Sequence, residues 1–132
     1  MDDLYREVII ERYKTPQFRG TLEPHNISFE DENPLCGDHI RVDLRVNGEG
    51  IVTEAAFSGH GCAISQASSD LLMESVVGKT LDDIKELHKQ DVLDLLGIEL
   101  GVVRLKCALL PLKVLKAGVY GMGATKELAD DE

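Results

Sequence analysis

The sequence contains no apolar run that approaches the roughly 18 residues of a membrane-spanning helix. It begins Met-Asp-Asp-Leu-Tyr-Arg-Glu, which is acidic where a secretion signal is basic and then apolar. Cysteine is scarce as well: three cysteines cannot pair off fully into disulfides and would leave a free thiol outside the cell. These absences together predict a protein of the reducing cytoplasm that does not span a membrane.

Positive charge is also in short supply. Only 14 lysines and arginines stand against 24 aspartates and glutamates, which leaves a formal net charge of −10 at pH 7. This balance disfavours binding to nucleic acid or to an anionic membrane, and it favours a basic protein partner. The 132 residues are 43% hydrophobic and contain no repeat or low-complexity linker. We therefore expect a single domain over residues 1–132, with an acidic tail from about residue 124.

Alternation of apolar and charged residues predicts one clear strand. In residues 40–46, isoleucine, valine and leucine alternate with arginine and aspartate, which is typical of a strand with one buried face. An Asn-Gly-Glu-Gly turn follows and predicts a hairpin whose return strand covers residues 51–57. A further edge strand is expected near residues 27–29.

Helical spacing of apolar residues predicts the other elements, and the order of strands and helices indicates a small α+β protein. The last helix contains Pro111, which is tolerated only in a first turn, so this helix is expected to begin close to Cys107. The predicted helices cover residues 3–14, residues 62–76 with a stop at Gly78, a short segment from Thr80 towards His88, residues 91–96 with a stop at Gly97, and residues 107–120.

Three cysteines and one aspartate are the candidate metal ligands. Cys36 and Asp38 stand in Asn-Pro-Leu-Cys-Gly-Asp, Cys62 in Gly-His-Gly-Cys-Ala-Ile-Ser, and Cys107 in Arg-Leu-Lys-Cys-Ala. Thiolates are soft ligands that select zinc or iron–sulfur clusters. Cys36 and Cys62 are 26 positions apart, and Cys62 and Cys107 are 45 apart. Because no Cys-x-x-Cys pair exists, only folding can bring these ligands together.

The predicted elements suggest how the ligands meet. Cys62 and Cys107 both fall at predicted helix N-termini, where the helix dipole stabilises a thiolate. Cys36 and Asp38 lie two apart in extended chain, so both can reach one metal ion. Gly37 leaves room between them, and Gly61 lets the backbone approach a ligand closely or else builds a tight turn.

Charge and alternative ligands limit this hypothesis. A zinc ion held by three thiolates and one carboxylate has a formal charge of roughly −2, which Lys106 and Arg104 can compensate unless they are only solvated surface charges. His60 is an alternative ligand, although a loop histidine is more often on the surface. A zinc site that serves folding alone, in an interaction module, remains an alternative, as do three unrelated buried cysteines.

Three cysteine motifs closely resemble those of the IscU/SufU-type iron–sulfur cluster assembly family, which includes the N-terminal part of NifU. The resemblance covers nearly the whole chain and implies a three-stranded antiparallel sheet packed against helices. It also implies a [2Fe-2S] cluster or zinc held by the four ligands, a cysteine desulfurase as partner, and apo iron–sulfur proteins or carriers as recipients. The matching segments are Asn33-Pro34-x-Cys36-Gly37-Asp38, Gly59-x-Gly61-Cys62-Ala63-Ile64-Ser65-x-Ala67-Ser68 and Arg104-x-Lys106-Cys107-Ala108.

Two behaviours within the family stay open. Lys106 before the third cysteine resembles the SufU type, in which the protein holds zinc and accepts sulfur. A protein of this type would be at most a zinc-dependent sulfurtransferase that works with the desulfurase. The short interval from Cys62 to Cys107 is closer to the IscU type, which assembles and transfers a cluster. Cys36 is our predicted sulfur acceptor, because its loop with Gly37 is the least constrained setting, and Cys107 is the alternative acceptor.

Overall fold

The structure is a computed structural model that describes residues 2–33 and 37–120. It places five helices and three strands in these residues, and the predicted acidic tail from about residue 124 lies outside them. In chain order the elements are α1 (Asp2–Lys14), β1 (Ile27–Asn33), β2 (Asp38–Val46), β3 (Val52–His60), α2 (Ala63–Val76), α3 (Leu81–Lys85), α4 (Lys89–Leu96) and α5 (Val102–Tyr120).

The three strands form one antiparallel sheet in the order β1-β2-β3. Val42 is paired with Phe29 on β1 and with Phe57 on β3, so these three side chains lie on the same face of the sheet. Val42 and Phe57 are fully buried there, whereas Arg41 and Arg45, which alternate with the aliphatic residues of β2, are half-buried on the opposite face. The alternation read from the sequence therefore separates the core face from the polar face.

Helices α2 and α5 cover the core face of the sheet and pack against each other. The approach of α5 to β1 is close: a Cβ atom at Gly118 would lie 3.1 Å from Ile27 and 3.2 Å from Phe29. Among the described helices, none is long and apolar enough to cross a membrane. The expected α+β fold with a three-stranded antiparallel sheet packed against helices is confirmed.

Most predicted elements are present, and the two outer strands are longer than predicted. β1 continues to Asn33, and β3 begins at Val52 and continues to His60. Polar residues occupy these extensions, so hydrophobic alternation could not indicate them, but backbone pairing with β2 continues through them. Thr80 caps α3 by accepting a hydrogen bond from the Asp83 backbone N–H at 3.0 Å, as expected.

The predicted start of the last helix is wrong. α5 begins at Val102, so Pro111 is its tenth residue and Cys107 its sixth, and the helix-dipole argument does not apply to Cys107. Pro111 has no N–H to donate to the carbonyl oxygen four residues earlier. The Ser68 hydroxyl donates to the neighbouring Ala108 carbonyl at 2.7 Å, and Pro111 itself is buried. Tertiary packing therefore overrides the local cost of the proline.

A buried carboxylate holds the polar face of the sheet together. Asp43 is 1% exposed and accepts hydrogen bonds from the Ser28 hydroxyl at 2.6 Å, Arg41 Nε at 2.9 Å and the Leu22 backbone N–H at 3.1 Å. Burial raises the pKa of Asp43, but the bonds from Arg41, Ser28 and Leu22 outweigh it and lower the pKa below its ordinary value of 3.8. The network therefore stabilises the ionised carboxylate.

Replacement of Asp43 with asparagine should make the free energy of unfolding less dependent on pH in the acid range. Folding lowers the pKa of Asp43, so the ionised carboxylate contributes fully to stability above the pKa that Asp43 has in the unfolded chain. This contribution is lost as the pH falls through the lower pKa of Asp43 in the folded protein. We expect Asp43→Asn to cost about 1–3 kcal/mol at pH 7 and less at acid pH. Urea unfolding of both proteins across the acid range measures this difference, and a constant difference would contradict the prediction.

Candidate metal centre

Three of the predicted ligands meet at one end of the sheet. Asp38 is the first residue of β2, Cys62 precedes the first turn of α2, and Cys107 lies on the facing side of α5. One ligand atom from each lies within 4.8 Å of the other two. This is the group of histidine, cysteine and acidic side chains that could hold a metal ion in the described part of the chain.

Asp38 is fixed by the start of α2. Its side chain is buried, with 1% exposure, and its Oδ1 accepts a hydrogen bond from the Cys62 backbone N–H at 3.1 Å. Its Oδ2 lies 3.9 Å from Cys62 Sγ. In a tetrahedral zinc site a sulfur and an oxygen ligand are about 3.6 Å apart, so this pair is close to ligating geometry.

Two glycines let the end of β3 approach Asp38. A Cβ atom at Gly59 would lie 2.0 Å from the His39 carbonyl oxygen, and Gly59 has a φ of 120°, which other residues rarely adopt. A Cβ atom at Gly61 would lie 2.7 Å from Asp38 Oδ1 and 2.4 Å from Ser65 Oγ. Both positions therefore require glycine for the site to keep its shape.

Replacement of Gly61 with alanine should weaken zinc binding. The added methyl group would push Asp38 Oδ1 away from Cys62, and disturbance of such supporting contacts typically lowers metal affinity about 10–100-fold. Gly48→Ala is the matched control, because a Cβ atom there meets nothing within 4 Å. Competition with a chromophoric chelator measures both affinities, and wild-type affinity in Gly61→Ala would contradict the expected role.

The donor set fits zinc. Two sulfur atoms and a carboxylate oxygen converge, and each is a common zinc ligand. Cys107 is 2% exposed, whereas Cys62 is exposed, so the site has a buried side and an open side. An open coordination position is typical of sites that react or exchange ligands, whereas closed sites are typical of structural zinc.

Comparison with known proteins identifies the family. The model of the NifU-like N-terminal domain matches residues 4–127. The chain belongs to this family. It is 37% identical to the zinc-dependent sulfurtransferase SufU of Bacillus subtilis, over 90% of this chain and 91% of SufU. It is 32% identical to the iron–sulfur cluster assembly scaffold protein IscU of Escherichia coli K12, over 93% of this chain and 97% of IscU.

Solved structures agree with this assignment. FiSufU of Fervidobacterium islandicum AW-1, described as an iron–sulfur cluster assembly scaffold for the SUF system, is 28% identical to this chain. It superposes with a TM-score of 0.71 over 86% of this chain and 94% of its own. The N-terminal NifU-like protein of Brucella abortus has a TM-score of 0.72 at 21% identity over 92% of this chain and 96% of its own, which shows a shared fold.

The other predicted site residues of this NifU-like chain are not part of the group of three ligand atoms in the described residues. Cys36 lies outside the described residues. Gly37 has a φ of 71°, and a Cβ atom there would meet nothing within 4 Å, so it serves the turn rather than a close approach. Arg104 and Lys106 are exposed on α5. His60 stacks on His39 with ring centroids 5.9 Å apart and is not in the metal-binding group.

Two residues near the site were missed in the sequence. The Ser65 hydroxyl donates to the Cys62 carbonyl at 3.1 Å and lies 3.9 Å from Cys62 Sγ, so it supports the first turn of α2. A serine three residues after a cysteine at a helix start is a signal for this contact. Arg19 donates to the Gly59 carbonyl at 2.6 Å, and local sequence gives no sign of it because 40 positions separate the two.

Proposed function

We propose that the protein acts in iron–sulfur cluster assembly, where it binds zinc and accepts sulfur from a cysteine desulfurase. The observation that carries the proposal is the convergence of Asp38, Cys62 and Cys107 within 4.8 Å. This convergence occurs in a chain that is 37% identical to a zinc-dependent sulfurtransferase over nine-tenths of its length. We extend the role to the whole of residues 1–132 as one domain.

Cys36 is proposed as the fourth ligand beside these three. It lies two residues before the buried Asp38 in the sequence, and the described residues on either side are close together, because the Gly37 backbone N–H donates to the Asn33 carbonyl at 2.8 Å. When bound, zinc would keep the thiols as thiolates and contribute to folding. Asp38 supplies a hard oxygen in place of a fourth thiolate, so one corner of the site is bound more weakly.

Sulfur transfer requires one thiolate of this chain to attack the terminal sulfur of the desulfurase persulfide. A new S–S bond forms on the acceptor, the persulfide S–S bond breaks, and the desulfurase cysteine leaves as a thiolate, so no external oxidant or reductant is needed. We propose Cys36 as the acceptor. Burial of Cys107 in α5 argues against the alternative acceptor, because an attacking thiolate must be reachable by the partner.

The partner is proposed to bind through opposite charge. A formal net charge of −10 attracts a basic surface and speeds encounter, and it repels the phosphate backbone of nucleic acids. The recipients of sulfur or of a finished cluster would be apo iron–sulfur proteins or carriers. The desulfurase generates the persulfide, so this chain acts as its sulfurtransferase partner.

The test is desulfurase turnover with and without the zinc-loaded protein. We expect faster turnover and a mass increase of one sulfur atom on this chain, both lost in Cys36→Ser. The exposed Lys106 next to Cys107 allows a second variant, and Lys106→Met should weaken metal binding or docking. Arg6→Met is its control, since Arg6 is exposed and outside the site. An unchanged turnover rate with zinc fully bound would contradict the acceptor role.

A scaffold role is the second candidate. It is supported by 32% identity to the E. coli scaffold over 93% of this chain and by the short interval between Cys62 and Cys107. Reconstitution with iron and sulfide tests it. If the iron form assembles a [2Fe-2S] cluster and passes it to an apo-acceptor while the zinc form leaves the desulfurase unaffected, the scaffold role replaces the acceptor role.

A further inference from the structure

A pocket of about 380 Å³ opens beside the candidate metal centre. Its lining includes Lys14, Arg19, His60 and Gln66, and Gly61 forms part of its wall. No aspartate or glutamate of the described residues lines it. In a chain with a formal net charge of −10, a pocket with two permanent cations and no carboxylate is an exception to the overall charge.

Arg19 is held in place without being neutralised. It donates to the Gly59 carbonyl at 2.6 Å and to Gln66 Oε1, and it lies 5.9 Å from the centre of the Phe57 ring. A guanidinium has five N–H donors, so these two bonds leave three for a ligand. Both of its hydrogen-bond acceptors are neutral oxygens, and no carboxylate of the described residues forms an ion pair with it.

Gln66 contributes a donor that lacks an acceptor. The residue is 5% exposed, its Oε1 accepts from Arg19, and its buried Nε2 has no hydrogen-bond partner among the described atoms. A buried amide N–H without a partner costs about 1–3 kcal/mol. A ligand oxygen that enters beside Arg19, with a small movement of the Gln66 side chain, would satisfy this donor.

We propose that this pocket binds a small oxyanion, a carboxylate or phosphate group carried by a small molecule. Arg19 offers a planar fork for two oxygens, Lys14 adds a point charge, and Gln66 adds a neutral donor. The volume lies in the range of small-molecule sites. This inference goes beyond the proposed function, because it concerns a ligand other than the metal and the desulfurase.

The pocket and the metal centre share a wall. Gly61 lines the pocket and lies against Asp38, since a Cβ atom on it would be 2.7 Å from Asp38 Oδ1. Arg19 also holds the Gly59 carbonyl, two residues before Gly61. A bound oxyanion is therefore held next to Gly61, the residue that precedes Cys62 in the chain.

Titration of the ¹⁵N-labelled, zinc-loaded protein with succinate and, separately, with inorganic phosphate tests the proposal by amide chemical shifts. We expect saturable shifts at Lys14, Arg19, Gly61 and Gln66 with at least one probe, weakened by sodium chloride. Lys14→Gln should weaken binding about threefold and Arg19→Gln about tenfold or more. The probe that binds more tightly identifies the ligand class.

Matched controls are Lys79→Gln and Arg6→Gln, which remove a lysine and an arginine that do not line the pocket. Lys14 is exposed, so its variant reports on binding even if Arg19→Gln is poorly folded. Absence of saturable shifts with both probes, or equal weakening by Lys14→Gln and Lys79→Gln, would overturn the proposal. The readout uses no sulfur transfer, so failure of the sulfur-acceptor role would not affect it.

Discussion

The Cys107→Ser variant should bind zinc more weakly than the wild type and should therefore lose much of the folding stability that zinc binding provides. Cys107 is 2% exposed on α5 and contributes one of three ligand atoms that lie within 4.8 Å of one another. Serine has nearly the same shape but is a poor zinc ligand, so we expect a decrease in zinc affinity on the order of 100-fold, about a quarter of the binding free energy of a four-ligand site. Zinc content after purification and chelator competition measure this loss.

Comparison of metal-free proteins is the control for this variant. If the loss arises from ligation, wild type and Cys107→Ser should unfold at similar temperatures without zinc, and only the wild type should be strongly stabilised when zinc is added. If added zinc raises both melting temperatures equally, Cys107 is not a ligand. A lower melting temperature of the metal-free variant alone would indicate a packing role.

Asp70→Ala should strongly destabilise the protein without involving the metal. Asp70 is fully buried on α2, and its Oδ2 accepts from Arg12 on α1 at 2.8 Å. Its Oδ1 accepts from the backbone N–H groups of Gln17 at 2.8 Å and Phe18 at 2.7 Å. Removal of the carboxylate leaves the two backbone N–H groups without this acceptor and takes one of two carboxylate partners from Arg12, which keeps its ion pair with Glu74 at 2.5 Å. At about 1–3 kcal/mol for each buried donor that loses its acceptor, we expect a cost of about 3–5 kcal/mol.

The exposed Asp94 on α4 provides the control for this prediction. Asp94 accepts a hydrogen bond from Gln90 at 2.9 Å within its own helix, so Asp94→Ala should cost no more than about 0.5 kcal/mol. Urea unfolding of the two variants and the wild type in the same buffer gives the comparison. Equal stability of the Asp70→Ala and Asp94→Ala variants would show that the Asp70 network contributes nothing net.

The wrong prediction for α5 shows where local patterns fail. Pro111 disfavours a helix around itself by local rules, so the sequence predicted a first turn at Cys107. The helix begins at Val102 instead, and α5 packs against α2 with contacts that include the bond from the Ser68 hydroxyl to the Ala108 carbonyl. That hydroxyl is 40 positions away in sequence, so no window of neighbouring residues could reveal it.

The sequence by itself determined the elements with strong periodicity and the chemical nature of the ligands. The alternation from Ile40 to Val46 and the helical spacing up to Val76 are local properties, because side-chain direction repeats every 2 residues in a strand and every 3.6 in a helix. Cysteine and aspartate beside glycine likewise indicate metal chemistry from residue type alone. The family motifs extended this to the three-stranded sheet, which the structure has.

Tertiary structure alone decided which of these residues meet. Asp38 and Cys107 are far apart in the chain, and packing of α5 on the sheet and on α2 brings them together. The contacts of Asp70 with α1 and of Arg19 with Gly59 are likewise products of packing. In the sequence, Asp70 and Arg19 look like ordinary charged surface residues. Their burial and the distances to their partners depend on the whole fold and not on the neighbouring residues.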